Sequence, residues 1–237
     1  MNRPLELSIE KENEDDDDCL TRNPIRIVRL GDRIIEVSIL NDEGNFAVKR
    51  WFQERDREKR RSPLVAGLSF FRGSPERCSW DKSSPYSSSK VIAGIALCLG
   101  GSHCLFIDNS SSYDRVTTAR ALRDFLNDRR VTIVGVGFKK AVESFDKDWG
   151  IHLGKTVEAR TLMEDAYGMC KMMGRTGLEE MAEIALNGMR VRRLPMTTEK
   201  KYWFDDIDED RVLQATFDAF LCFEIGVKCL QMLGRPT

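Results

Sequence analysis

Seven cysteines and two histidines are the side chains that first suggest chemistry, and their spacing argues against it. Cys19, Cys78, Cys98, Cys104, Cys170, Cys222 and Cys229 are odd in number, contain no Cys-x-x-Cys pair, and several stand inside apolar runs. They read as buried thiols of a reducing compartment. With only His103 and His152 available, neither a zinc site nor a disulfide framework is expected. His103 follows the turn Gly100-Gly101-Ser102, and no Ser or Cys nucleophile pairs with it recognisably. Trp80 and Tyr86 lie in a stretch from Gly73 to Ser89 rich in serine, glycine and proline. They offer rings for stacking on bases, or simply anchor a loop.

The elements that must position any site come from composition and pattern. A chain of 237 residues, 41% hydrophobic and 32% charged, can bury one sizeable core, so one α/β domain accounts for the length. Lys and Arg total 37 against 38 for Asp and Glu, so there is no global attraction to phosphate backbones and any nucleic-acid contact must be local. Residues 1–22, with the run Glu10-Lys-Glu-Asn-Glu-Asp-Asp-Asp-Asp18, read as a disordered acidic tail: a solubilising terminus or a docking segment for a basic partner. Residues 23–237 form the domain. The start is acidic rather than a basic-then-apolar signal, and no apolar stretch approaches a spanning helix, so the expectation is a soluble protein of the nucleus or cytoplasm with no membrane association.

The run Pro63-Leu-Val-Ala-Gly-Leu-Ser-Phe-Phe71 is apolar throughout, as a strand buried on both faces must be. Before it, Ile25 to Leu30 and Arg33 to Leu40 flank Gly31-Asp32 as a hairpin, and Asn41 and Asp42 cap a helix carrying Phe46, Val48, Trp51 and Phe52. That helix ends, from Glu54 to Arg61, in alternating acids and bases, which suit a solvated face or a phosphate-binding patch. After it, strands Val91 to Leu99 and His103 to Ile107 make an antiparallel trio with the central run. Helix Thr117 to Asn127 then crosses to strand Val131 to Gly137, which implies parallel pairing with the sheet centre. Helices are expected at Lys139 to Trp149, Met163 to Met173, Gly177 to Leu186 and Asp208 to Leu233, with a short strand at Thr156 to Leu162. The fold class is α/β: a mixed central sheet of three antiparallel strands plus parallel ones, with helices on both faces.

This order is the pattern of the ribonuclease H-like fold. The central run, the Val91 and His103 strands, Ala121-Leu-Arg-Asp-Phe-Leu126, Val131-Thr-Ile-Val-Gly-Val-Gly-Phe138, Gly177-Leu-Glu-Glu-Met-Ala182 and Asp218-Ala-Phe-Leu-Cys-Phe-Glu-Ile-Gly226 resemble, in order and spacing, the DnaQ-like (DEDD) 3′-5′ exonuclease domain. The nearest look is to the Werner-syndrome-like exonucleases of plants, over roughly residues 23–233. The resemblance implies two divalent ions held by four acidic residues, with a tyrosine aiding the attacking water. Two hard cations stabilise the attacking and leaving oxygens, and only clustered carboxylates can hold and neutralise them.

Carried over residue by residue, the pattern is largely missing. Where the family has Asp-x-Glu the chain has Ser69-Phe70-Phe71; Ala141 stands at the next aspartate; Tyr-x-x-x-Asp is Gln214-x-x-x-Asp218. Asp218 alone is retained. Asp81, Asp108, Glu143, Asp146, Asp205 and Asp206 are the acids available as substitutes. Lys139 and Lys140 bring positive charge to the neighbourhood, and Met189-Arg-Val-Arg-Arg193 and Lys200-Lys201 extend it or face solvent. Two functions follow. One is a non-catalytic module of the exonuclease fold that binds single-stranded nucleic acid or a protein, with self-assembly carried by the resemblance and no cofactor. The other is an active 3′-5′ exonuclease that uses displaced acids with Mg²⁺ or Mn²⁺.

Overall fold

The computed structural model describes residues 7–11, 25–40, 48–53, 64–73, 91–108, 120–168, 176–191 and 209–237. Among the described residues, eight strands make one mixed sheet: β1 (Leu7–Lys11), β2 (Ile25–Leu30), β3 (Arg33–Leu40), β4 (Leu64–Gly73), β5 (Val91–Leu99), β6 (His103–Asp108), β7 (Val131–Gly135) and β8 (Lys155–Glu158). Their order across the sheet is β1-β2-β3-β6-β5-β4-β7-β8. The central run is β4, antiparallel to β5 and parallel to β7, as its two-sided apolar character requires. The hairpin of β2 and β3 joins the same sheet through a parallel pairing of β3 with β6, which no local pattern announces.

Among the described residues, five helices accompany the sheet: α1 (Arg120–Asn127), α2 (Phe138–Ser144), α3 (Ala159–Tyr167), α4 (Leu178–Ala185) and α5 (Glu209–Met232). A π-helical turn, Phe145–Trp149, continues α2, and 48–53 are helical. One apolar layer joins α3, α4 and α5 to the sheet through residues such as Phe106, Phe217 and Phe220; the other joins α1, α2 and the π turn through Leu68, Ile95 and Phe145. The Trp149 indole Nε1 donates to the Ile92 carbonyl at 2.9 Å, so the π turn is tied to β5 by a hydrogen bond as well as by burial.

Three expectations change. The acidic segment is not a tail over Leu7–Lys11: these residues form edge strand β1, antiparallel to β2, because Leu7 and Ile9 pack on the layer beneath while Glu10 pairs with Arg29 at 3.1 Å. Strand β8 ends at Glu158 rather than Leu162, since Ala159, Leu162 and Met163 are the buried stripe of α3. Strand β7 stops at Gly135, and Gly137 takes a positive φ of 84° immediately before α2. The remainder of the expected acidic tail, 1–6 and 12–22, the 74–89 loop with Trp80 and Tyr86, and Lys200-Lys201 lie outside the described residues.

Cys98, Cys104, Cys222 and Cys229 are buried thiols outside any disulfide. Cys98 and Cys104 stand directly opposite each other on β5 and β6. Burial holds the Cys104 thiol well above its ordinary value, helped by a hydrogen bond with Cys98, and burial pushes Cys229 up to about 11. A raised thiol pKa favours the folded state's neutral form. Its contribution is fully present below the unfolded value near 9 and is lost as pH rises through the folded value, for Cys229 about 11. Denaturant melts from pH 7 to 11 are expected to show flat stability up to about pH 9 and then a loss of the order of 2 kcal/mol for this group. Stability that stays level to pH 11 would contradict the assignment.

Candidate nucleic-acid interface

Strands β1, β3, β4, β6, β7 and β8 run one way and β2 and β5 the other, so the ends of β4, β6 and β8 meet at one rim of the sheet. Along β4, Val65 and Phe71 belong to the layer under α5, and the empty Cβ position of Gly67 abuts the Ala219 carbonyl and the Phe223 backbone. The pleat therefore turns Ser69 toward α5 as well. Gln214 and Asp218 are on α5, and the Gln214 amide donates to the Asp218 carboxylate at 2.9 Å. The structure thus brings Ser69, Phe71, Gln214 and Asp218 to one side of the sheet.

Ala141 does not join them. It is fully buried in the opposite layer, with Phe138, Phe145 and Phe70. Lys139, on the same short helix, is exposed; the Lys140 side chain lies outside the described residues. Glu143 and Asp146 are exposed, while Asp81, Asp205 and Asp206 are outside the described residues.

Phe71, Gly94 and Asp108 form one row across β4, β5 and β6. The Phe71 ring lies over Gly94: a Cβ there would come within 2.1 Å of it. The ring stacks on Phe106 with centroids 5.7 Å apart and planes 11° apart. On it sits the Arg211 guanidinium, 5.1 Å from the centroid, and Nη1 of Arg211 is 3.5 Å from the Asp108 carboxylate. Arg211 thus bridges the row from end to end, above the glycine. On the other side of β4, Phe70 meets Phe145 edge-on at 5.6 Å; Arg72 lies 6.0 Å from the Phe70 centroid and donates to the Ser144 hydroxyl at 3.5 Å. At the neighbouring rim, the Glu158 carboxylate accepts from the backbone N–H groups of Gly137, at 2.8 and 3.1 Å, and Phe138, at 3.1 Å, and so fixes the start of α2.

Pattern reading missed Arg211, Arg72 and Glu158. For Arg211 a signal was present: it precedes Gln214 by three residues and Asp218 by seven, which puts all three on one face of a helix. Nothing local marked its pairing with Asp108. Among the described residues the donors do not fit a pair of divalent ions: Asp218 accepts from Gln214, Asp108 pairs with Arg211, a phenyl ring covers Gly94, and no three His, Cys, Asp or Glu come together as ligands. Among the described residues, no helix is long and apolar enough to cross a membrane.

No protein-family model matches the chain, and no curated protein matches it. Solved structures do. Escherichia coli RNase D, an exoribonuclease involved in structured RNA processing, is similar at a TM-score of 0.55 and 16% identity over 84% of this chain and 45% of that one. Brucella melitensis NrnC is similar at 0.50 and 12% identity, over 84% of this chain and 80% of that one. The EXD2 exonuclease domain aligns over 84% of this chain and 89% of that one at 20% identity and a TM-score of 0.41. The chain shares the mixed α/β fold of these two solved structures, RNase D and NrnC.

Proposed function

We propose that this protein is a metal-independent, catalytically silent relative of 3′-5′ exonucleases that binds single-stranded nucleic acid at the rim of its sheet. The observation that carries this reading is the row Phe71–Gly94–Asp108, with Arg211 above it. Where carboxylates would have to gather, the chain offers a stacked ring and an internal ion pair. A guanidinium neutralises phosphate but supplies neither a Lewis acid nor an activated water. The plant Werner-syndrome-like likeness, a nuclear or cytoplasmic location and self-assembly belong to the same proposal, supported by the sequence patterns alone.

Exposed Lys139, with Lys140 beside it in sequence, supplies charge at the start of α2. Binding of a short labelled single strand is expected to be weak and independent of divalent ions, with a log-log salt slope of about 2 to 3 in magnitude. The double change Lys139→Glu plus Lys140→Glu is expected to abolish it. Fluorescence anisotropy of both proteins across a salt series checks this. No signal from the unaltered protein at any salt concentration would leave the module a protein-binding one.

A further inference from the structure

We infer that the phosphate contacts of this rim centre on two arginines stacked on adjacent phenylalanines, Arg211 on Phe71 and Arg72 on Phe70. The inference rests on the nucleic-acid reading above and names the side chains that would touch the ligand. Phe70 and Phe71 are consecutive on β4 and belong to opposite layers, so the two guanidinium groups flank the end of the same central strand from its two sides. A strand of phosphodiesters laid across that end meets both.

Each arginine is also held. Arg211 has the Phe71 ring beneath it and Asp108 beside it; Arg72 has the Phe70 ring and the Ser144 hydroxyl. A guanidinium stacked on a ring keeps its plane fixed and presents its N–H donors in a planar fork that matches a phosphate. Less side-chain freedom is then lost when a phosphate oxygen is accepted, which favours arginine over a solvated lysine. Asp108 works in the opposite direction: its negative charge, 3.5 Å from Arg211, competes with a phosphate for the same cation.

That opposition supplies the test. A labelled single-stranded oligonucleotide is titrated with the unaltered protein and with Arg211→Gln, Arg72→Gln, Asp108→Asn and the Lys139→Glu/Lys140→Glu variant, each checked for its native circular dichroism and melting temperature. Arg211→Gln and Arg72→Gln are expected to weaken binding about tenfold each, and each to lower the salt slope by about 0.7. Asp108→Asn is expected to tighten binding several-fold, an effect that damage to the fold would not produce. If the lysine variant loses binding while both arginine variants and Asp108→Asn bind as the unaltered protein does, the inference is overturned and the nucleic-acid reading stands. If the unaltered protein binds no strand, both fall. Should either arginine variant lose its fold, Asp108→Asn decides: unchanged or weaker binding overturns the inference.

Discussion

Labelled single strands and recessed duplex ends are expected to stay intact when incubated with the purified protein and Mg²⁺ or Mn²⁺. Two-metal hydrolysis draws the Lewis acid, the activated water and the clamp on the leaving oxygen from one carboxylate cluster, and each of these is worth several kcal/mol of barrier. Losing them together removes many powers of ten in rate, since about 1.4 kcal/mol is a factor of ten. Among the described residues, the side chains at these positions are poor ligands for such ions: Ser69 offers a hydroxyl, Phe71 a ring packed over Gly94, Gln214 an amide engaged with Asp218. Among the described residues, Asp108 is the candidate substitute acid on that side of the sheet, and its carboxylate is paired with Arg211. The measurement is a denaturing gel of 3′- and 5′-labelled substrates over hours at enzyme excess. Metal-dependent shortening from the 3′ end that Asp218→Ala abolishes would show that displaced acids do the chemistry.

The second large effect concerns the joint between the central strand and the longest helix. Gly67 lets α5 lie directly on β4: a Cβ there would stand 1.9 Å from the Ala219 carbonyl oxygen and 2.5 Å from the Phe223 nitrogen. Both obstacles are backbone, so no rotamer change relieves them. Gly67→Ala is expected to push the helix off the sheet and to cost about 3 kcal/mol or more, the upper end of overpacking. In a domain of this size that lowers the melting temperature by roughly 10 °C. Gly177→Ala is the control: among the described residues its added Cβ would meet only the Glu179 carboxylate, at 3.1 Å, at the start of α4. Its effect is expected within about 0.5 kcal/mol. Thermal melts of the two variants that coincide would remove the close packing of α5 on β4 as an explanation.

What the sequence determined by itself is local. An unbroken apolar run such as Leu64 to Phe71 has to be covered on both faces, so β4 and its neighbours β5 and β7 were legible from composition and from the connections between them. The residues at the positions compared with the exonuclease pattern were legible too, because the identity of Ser69, Phe71, Ala141 and Gln214 is written in the chain whatever its shape. What only the tertiary structure decided involves partners far apart in sequence. The acidic start of the chain contributes β1 because Leu7 and Ile9 find apolar cover beneath α5, and the charge of its neighbours hid that pattern. Ala141 lies in the layer opposite Asp218, so four positions that share a motif do not share a site here. The Arg211–Asp108 pair, the Phe71 ring over Gly94 and the Glu158 cap on α2 arise from strand register and helix placement. Local periodicity carries the direction in which a side chain leaves its own strand or helix; which distant side chain it meets is settled only when the apolar faces pack.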